Sequence, residues 1–381
     1  MSDTRMRAAR VALLATMALG ITAACSADAY SQDELQRDVE AIRHSGTVGV
    51  QAMVTTHGGD HRFATSGVAD LDSRNPVPAN GHYRIGSNTK TFTATVVLQL
   101  VGEGMLSLDD TVERHLPGVV RGSGHDGGAI TIRDLLRHTS GIYDYNDDDA
   151  WVPFATRETF ERRRFQRYEP EELVAVAMRH PPYFPAGTQH RYSNTNYVLA
   201  GMVIEAVTGN PWPQEIGDRI IEPLGLDHTT VPTGPRMPEP HARGYHQFEQ
   251  GGPLVDTTLL DPSAGGAGGA IISTPEDMTR FFSALLGGDL LAPELLTQMW
   301  DTLPSADGRY GLGLAWSPLS CGGGYWRHGG AVPGYASAEG FTEDGRGVVL
   351  SLSSLFAFGD EAKDSAQAAA ATELIDNALC T

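Results

Sequence analysis

Residues 311–354 read GLGLAWSPLSCGGGYWRHGGAVPGYASAEGFTEDGRGVVLSLSS. Four runs, Gly311 to Trp316, Gly324 to His328, Tyr335 to Phe341 and Gly347 to Ser354, are separated by glycine-bearing turns. That is the pattern of consecutive strands, and strands joined by short turns pair antiparallel. An alanine-rich stretch, Glu361 to Leu379, predicts a terminal helix. The other end of the chain has the same mixture. Ser31-x-x-Glu34 is a capping box that opens a helix to about His44. Val48 to Thr55 and His61 to Val68 flank His57-Gly58-Gly59-Asp60 as a hairpin.

Between these ends the pattern is helical. Thr89 to Gly102 carries an apolar face of Phe92, Val96, Val97 and Leu100. Thr131 caps a short helix ending at His138, Pro170 opens another to about His180, and Asn194 to Val207 is closed by Gly209. Pro213 to Ile221 and Pro275 to Leu286 complete the set. The expected fold is therefore α/β in the α+β sense, an antiparallel sheet flanked by helices. Residues of about 31–86 and 265–381 form the α/β lobe, and about 87–264 form an inserted, mostly helical lobe. The cleft between lobes is the natural place for a site.

The 381 residues are 41% hydrophobic and 20% charged, which excludes a disordered chain and allows a large core. A net charge of −19 argues against nucleic acid or an anionic membrane as partner. Arg5, Arg7 and Arg10 precede the apolar stretch Val11 to Ala24 and then small residues, so residues 1–29 read as a secretory signal. Two endings fit. Ala27-Asp28-Ala29 suits cleavage before Tyr30, and Thr22-Ala23-Ala24-Cys25 is an imperfect lipoprotein box that would place a lipid on Cys25. Residues 30–381 are then one catalytic unit, secreted or held at the cell envelope. Cys321 and Cys380, an even pair in an exported chain, read as one disulfide, with two unrelated buried thiols as the alternative. No Cys/His spacing suggests zinc; no metal or cofactor is expected, and the chain is expected to be a monomer.

Scarcity points to the chemistry. Lys90 and Lys363 are the only lysines, against 26 arginines. In Ser87-Asn88-Thr89-Lys90 the hydroxyl and the ammonium share a helix face. Arginine cannot release its proton in a protein, whereas a buried lysine can, and a serine needs such a base to attack a carbonyl. Tyr192-Ser193-Asn194 is the only Tyr-x-Asn in the chain. A phenol beside an ammonium ionises more easily, so Tyr192 is expected to pass protons between Ser87 and a leaving group, with Asn194 holding a substrate amide. At His328-Gly329-Gly330 the glycines let substrate approach a strand edge and His328 offers a donor across the cleft. The earlier His57-Gly58-Gly59 is read as a plain turn.

Taken in order, these S-x-x-K, Y-x-N and H-x-G elements resemble those of the penicillin-recognising serine hydrolases. Arg137-His138-Thr139-Ser140-Gly141, Tyr310-Gly311-Leu312-Gly313-Leu314 and the run from His328 to Tyr335 resemble further family segments, and the likeness spans roughly residues 32–381. It is strongest toward Streptomyces-type D-Ala-D-Ala carboxypeptidases, then class C β-lactamases and related esterases. The resemblance implies that Ser87 is the nucleophile, that Lys90 and Tyr192 manage its proton, and that Asn194, His328, Gly329 and Gly330 bind substrate. The backbone N–H groups of Ser87 and Ala331 would form the oxyanion hole. It also implies a peptidoglycan stem peptide or a β-lactam as substrate, and it supports the Cys321–Cys380 pairing. Two departures concern the leaving group. Ala315-Trp316-Ser317-Pro318-Leu319 lacks the basic residues that those carboxypeptidases place before the first cysteine, and Ala264 to Ala270 lacks their tryptophan. The acidic run Asp144 to Asp149 fails the EF-hand pattern and reads as a solvated loop, and Arg157 to Tyr168 reads as a solvated helix face.

Overall fold

The computed structural model describes residues 30–148, 154–306, 308–356 and 360–381. The expected signal at 1–29, with Cys25, lies outside the described residues, as does Asp149. Helix α1 (Gln32–His44) opens on the expected capping box, the Ser31 hydroxyl accepting from the Glu34 N–H while Glu34 accepts from the Ser31 N–H. Strands β1 (Gly49–Thr55) and β2 (His61–Gly67) form the hairpin, and His57-Gly58-Gly59 is its turn. Helices α2 (Thr89–Gly102), α3 (Ile132–Arg137), α4 (Asn194–Thr208) and α5 (Pro275–Gly287) follow. The C-terminal part carries β3 (Leu303–Ser305), β4 (Gly308–Tyr310), β5 (Ala315–Pro318), β6 (Gly324–Arg327), β7 (Gly329–Val332), β8 (Tyr335–Phe341), β9 (Gly347–Leu352) and α6 (Glu361–Leu379).

These nine strands make one antiparallel sheet in the order β2-β1-β9-β8-β6-β5-β4-β3, with β7 paired to β8. The two ends of the chain meet where β1 pairs β9, from Val50 against Leu352 to Thr55 against Gly347. On one face Leu35, Val39 and Ile42 of α1 and Leu374, Ile375 and Leu379 of α6 cover Val50, Ala52, Val54, Val348 and Leu350. On the other face Phe282 of α5 stacks on Phe341 of β8, and Phe281 stacks on Phe92 of α2. With both faces covered, β1 is buried throughout instead of alternating.

Three expectations are corrected. Gly311 to Trp316 is not one strand: residues 311–314 make a tight turn between β4 and β5. Gly313 has φ +75°, a region L side chains rarely enter; its N–H donates to Leu136 O and its carbonyl accepts from Thr91 Oγ1, so the chain dips onto α2 and α3. The run through His328 divides, and Gly329–Val332 forms its own strand on β8. The middle segment also contributes strand: Tyr245–Gln247 and Leu254–Asp256 form a small sheet with Ser354–Leu355. Cys321 and Cys380 form a disulfide between the β5–β6 turn and the end of α6.

Candidate active site

The floor of the site is a crossing of two backbones. A single 3-10 turn, Gly86–Asn88, leads into α2 and carries Ser87 at its centre. Gly86 has φ +52°, and a Cβ there would lie 2.7 Å from the Ala331 nitrogen. A Cβ on Gly330 would lie 1.9 Å from Ile85 O. Only residues without side chains allow this approach, and it sets the backbone of Ala331 beside Ser87. Gly330 therefore lies against the turn that carries the hydroxyl, with Gly329 before it on the same strand.

Lys90 comes from the first turn of α2 and has no exposed surface. Its Nζ lies 3.0 Å from Ser87 Oγ, 2.8 Å from Asn194 Oδ1 and 2.8 Å from Gly268 O. Burial brings its pKa down to about 7, with the nearby Asp144 carboxylate pulling the other way. A neutral amine has two N–H groups and one lone pair. Asn194 Oδ1 and Gly268 O can only accept, so they take the two N–H groups and the lone pair faces the Ser87 hydroxyl. The arrangement fits a base waiting for the serine proton. The Tyr192 hydroxyl lies 2.9 Å from Ser87 Oγ, and Lys90 Nζ sits 4.8 Å from the centre of its ring.

Two expected roles change. Tyr192 is not easily ionised: burial first, with Tyr310 alongside, holds its phenol well above the usual range, so it donates to Ser87 Oγ in the resting state. His328 offers no free donor to the cleft. Its Nδ1 lies 2.7 Å from Gly329 O, which only accepts, so Nδ1 carries the proton; Nε2 accepts from the Tyr310 hydroxyl at 3.0 Å. The ring is 6% exposed, and burial together with Lys90 pushes its pKa down to about 3, so it is neutral and braces the strand start.

Asp144 corrects the reading of the acidic run as a solvated loop. It is 5% exposed, and its Oδ2 accepts from the Asn194 backbone N–H at 3.0 Å and from Asn194 Nδ2 at 2.9 Å. Because Nδ2 is committed to a carboxylate, Oδ1 must face Lys90. The sequence signal for Asp144 is faint, an acid between Tyr143 and Tyr145 just past the His-Thr-Ser-Gly turn. That turn is itself structural. His138, at φ +60°, is kept neutral by burial and accepts through Nδ1 from the Ser193 N–H and Asn196 Nδ2; its ring packs 4.2 Å from Tyr192. Ser140 donates to Asn196 Oδ1, so the turn fixes the start of α4 and with it Tyr192 and Asn194. The acceptor at Gly268 is a backbone carbonyl that no residue letter reveals. In the arginine-rich segment, Arg157 and Arg162 pair with Glu161 and Glu158 at the surface.

Comparison with known proteins agrees with this geometry. The chain is similar to a D-stereospecific amidohydrolase from Streptomyces sp., with 42% identity, a TM-score of 0.81, and coverage of 88% of this chain and 97% of that one. It is similar to the D-amino acid amidase of Ochrobactrum anthropi SV3, with 27% identity, a TM-score of 0.79, and coverage of 92% and 98%. Penicillin-binding protein 4 of Amycolatopsis lactamdurans is 28% identical over 325 residues, covering 81% of this chain and 78% of that protein. The chain spans about two fifths of the length of some curated relatives it matches, such as protein flp of Staphylococcus aureus. The Beta-lactamase family model matches residues 35–373, a span that holds the sheet, the helices and the Ser87 cluster. The chain therefore belongs to the beta-lactamase family, the serine hydrolases of the β-lactamase/transpeptidase fold.

Proposed function

We propose that this serine hydrolase cleaves amides of D-configured amino acids through an acyl-enzyme on Ser87. One observation carries the chemistry: the lone pair of a buried Lys90 and the hydroxyl of Tyr192 converge on Ser87 Oγ. Lys90 takes the serine proton as Oγ attacks the carbonyl carbon. The N–H groups of Ser87 and Ala331 stabilise the oxyanion, a contribution of about 3 kcal/mol per donor. When the C–N bond breaks, Tyr192 protonates the leaving nitrogen and the Lys90 ammonium restores the phenol. Water then enters with the same groups acting in reverse. For the leaving group, the neutral His328 supports a substrate that needs no cationic partner there, such as a primary amide. The likeness to a D-stereospecific amidohydrolase supports the D configuration.

The second reading is a D-Ala-D-Ala carboxypeptidase on peptidoglycan stem peptides, acylated by β-lactams; the likeness to penicillin-binding protein 4 favours it. Export to the cell envelope, as a monomer, is part of either reading. Ammonia release from D-phenylalanine amide but not from the L form is the expected result. D-Ala release from an acyl-D-Ala-D-Ala peptide, without amide turnover, would establish the second reading instead. In both cases Ser87→Ala abolishes covalent labelling by a fluorescent penicillin. Labelling at an unchanged rate would remove Ser87 from the chemistry.

A further inference from the structure

Behind the nucleophile turn lies an acid that the mechanism above does not use. Glu339 sits in the middle of β8 and is 1% exposed. Its Oε1 accepts from the Tyr83 hydroxyl at 3.4 Å, and the Asn88 and Ser337 side chains lie next to the carboxyl. Asn88, the residue after Ser87, is fully buried, and its Nδ2 donates to Ile85 O at 3.1 Å and to Ser337 Oγ at 2.9 Å. Two buried oxygens in this cluster have no partner among the described residues: Asn88 Oδ1 and Glu339 Oε2. Both are acceptors if the carboxyl is ionised, and each would then be stranded at a cost of about 1–3 kcal/mol. One proton satisfies both.

We infer that Glu339 holds a proton on Oε2 and donates it to Asn88 Oδ1, locking the turn that carries Ser87 against the strand that carries Ala331. The link is continuous. Asn88 ties Ile85 and Ser337 together, Ser337 stands opposite Gly330 in the β7–β8 ladder, and Ile85 O lies beneath Gly330. The groups packed around the carboxyl agree: Asn88 and Ser337 are uncharged, and Tyr83, its titratable neighbour, is a phenol that burial keeps neutral. An unpaired carboxylate there would be costly, and burial holds Glu339 well above the usual carboxylate range. Glu339 is thus a positioning residue for the oxyanion hole, and that purpose rests on the reading of Ser87 given above.

Glutamine tests it, because its carbonyl can accept from Tyr83 while its N–H donates to Asn88, as a neutral carboxylic acid does. Infrared difference spectra of wild type minus Glu339→Gln at neutral pH should show a carboxylic-acid carbonyl band in the wild type. Glu339→Gln should be acylated by a fluorescent penicillin within about threefold of the wild-type rate. Glu339→Leu should be acylated about a hundredfold more slowly, with the loss in the acylation step and not in binding. A flat difference spectrum overturns the inference, as does a Gln variant that falls as far as the Leu variant, or a Leu variant that acylates normally. If the Leu variant does not fold, the spectrum and the Gln variant still decide. A wild type that takes no label and releases no ammonia from D-phenylalanine amide overturns the proposed function and the catalytic purpose of Glu339, while the band separately decides its proton.

Discussion

In the proposed mechanism Lys90 is the base, because burial removed its water and left three hydrogen-bond partners among the described residues, two of which cannot donate. With its pKa near 7, the acylation rate should rise with pH through about 7 as the amine loses its proton, and level off above. A stopped-flow profile that is flat from mildly acidic to mildly alkaline pH would contradict this. Lys90→Arg should be inactive at every pH, since a guanidinium stays charged. Asp144 supplies the sharper test. Its carboxylate raises the pKa of Lys90, so removing the charge lowers that pKa, and the acid limb should move to lower pH in Asp144→Asn. The rate should also fall about tenfold, because one amide nitrogen must then face the N–H of Asn146 or those of Asn194. A profile that keeps its inflection would show that Asp144 is structural only. Ser87, Lys90, Tyr192 and Asn194 were legible because their residue types are scarce in this chain or fixed in spacing. Asp144 was not, because an acid beside other acids reads as solvated until the fold shows it buried.

At the scale of the element, a residue letter reports period better than path. Helix α2 runs from Thr89 to Gly102 as its apolar spacing requires, and α6 covers the alanine-rich stretch. The strand expected over Gly311–Trp316 failed at Gly313, since alternation is blind to a left-handed backbone. That glycine is tightly constrained. A Cβ would lie 2.5 Å from Ala94 Cβ, 2.8 Å from the Tyr197 hydroxyl and 3.1 Å from Lys90 O. Gly313→Ala should therefore destabilise the protein by roughly 2–4 kcal/mol, adding positive-φ strain to overpacking beneath the base. Urea unfolding measures this; an unchanged midpoint would mean that the turn relaxes freely. Acylation should slow as well, because Ala94 and the Lys90 carbonyl belong to the helix that aims the amine. The division after His328 is a similar case. Glycines expected to border a strand edge form a ladder strand of their own, because β8 offers them partners from Ala338 to Tyr335.

For the whole molecule, closure between the chain ends is what the sequence conveyed least directly. Strand and helix at both ends implied one lobe, yet nothing in either end names the register that sets Val50 opposite Leu352. Two covered faces settle it, since a shift of one residue would turn Val50, Ala52 and Val54 away from α1 and α6. The same closure gives the disulfide its place. Cys321 and Cys380 are 59 residues apart in sequence, and the link joins the β5–β6 turn to the last turn of α6. Closing a loop of that length restrains the unfolded chain by about 4 kcal/mol on the loop-entropy model. The native contact does not depend on it alone, because Ser320 also donates its N–H to Asp376 Oδ1 at 2.8 Å. Replacing both cysteines with serine should thus lower the urea midpoint while leaving the folded site intact, with β-lactam labelling of Ser87 within about twofold of wild type. A variant that unfolds no more easily would mean that the unfolded chain is already compact across this loop. A variant that folds but loses labelling would mean that strain at this far corner of the sheet reaches β7, where Ala331 meets the nucleophile turn.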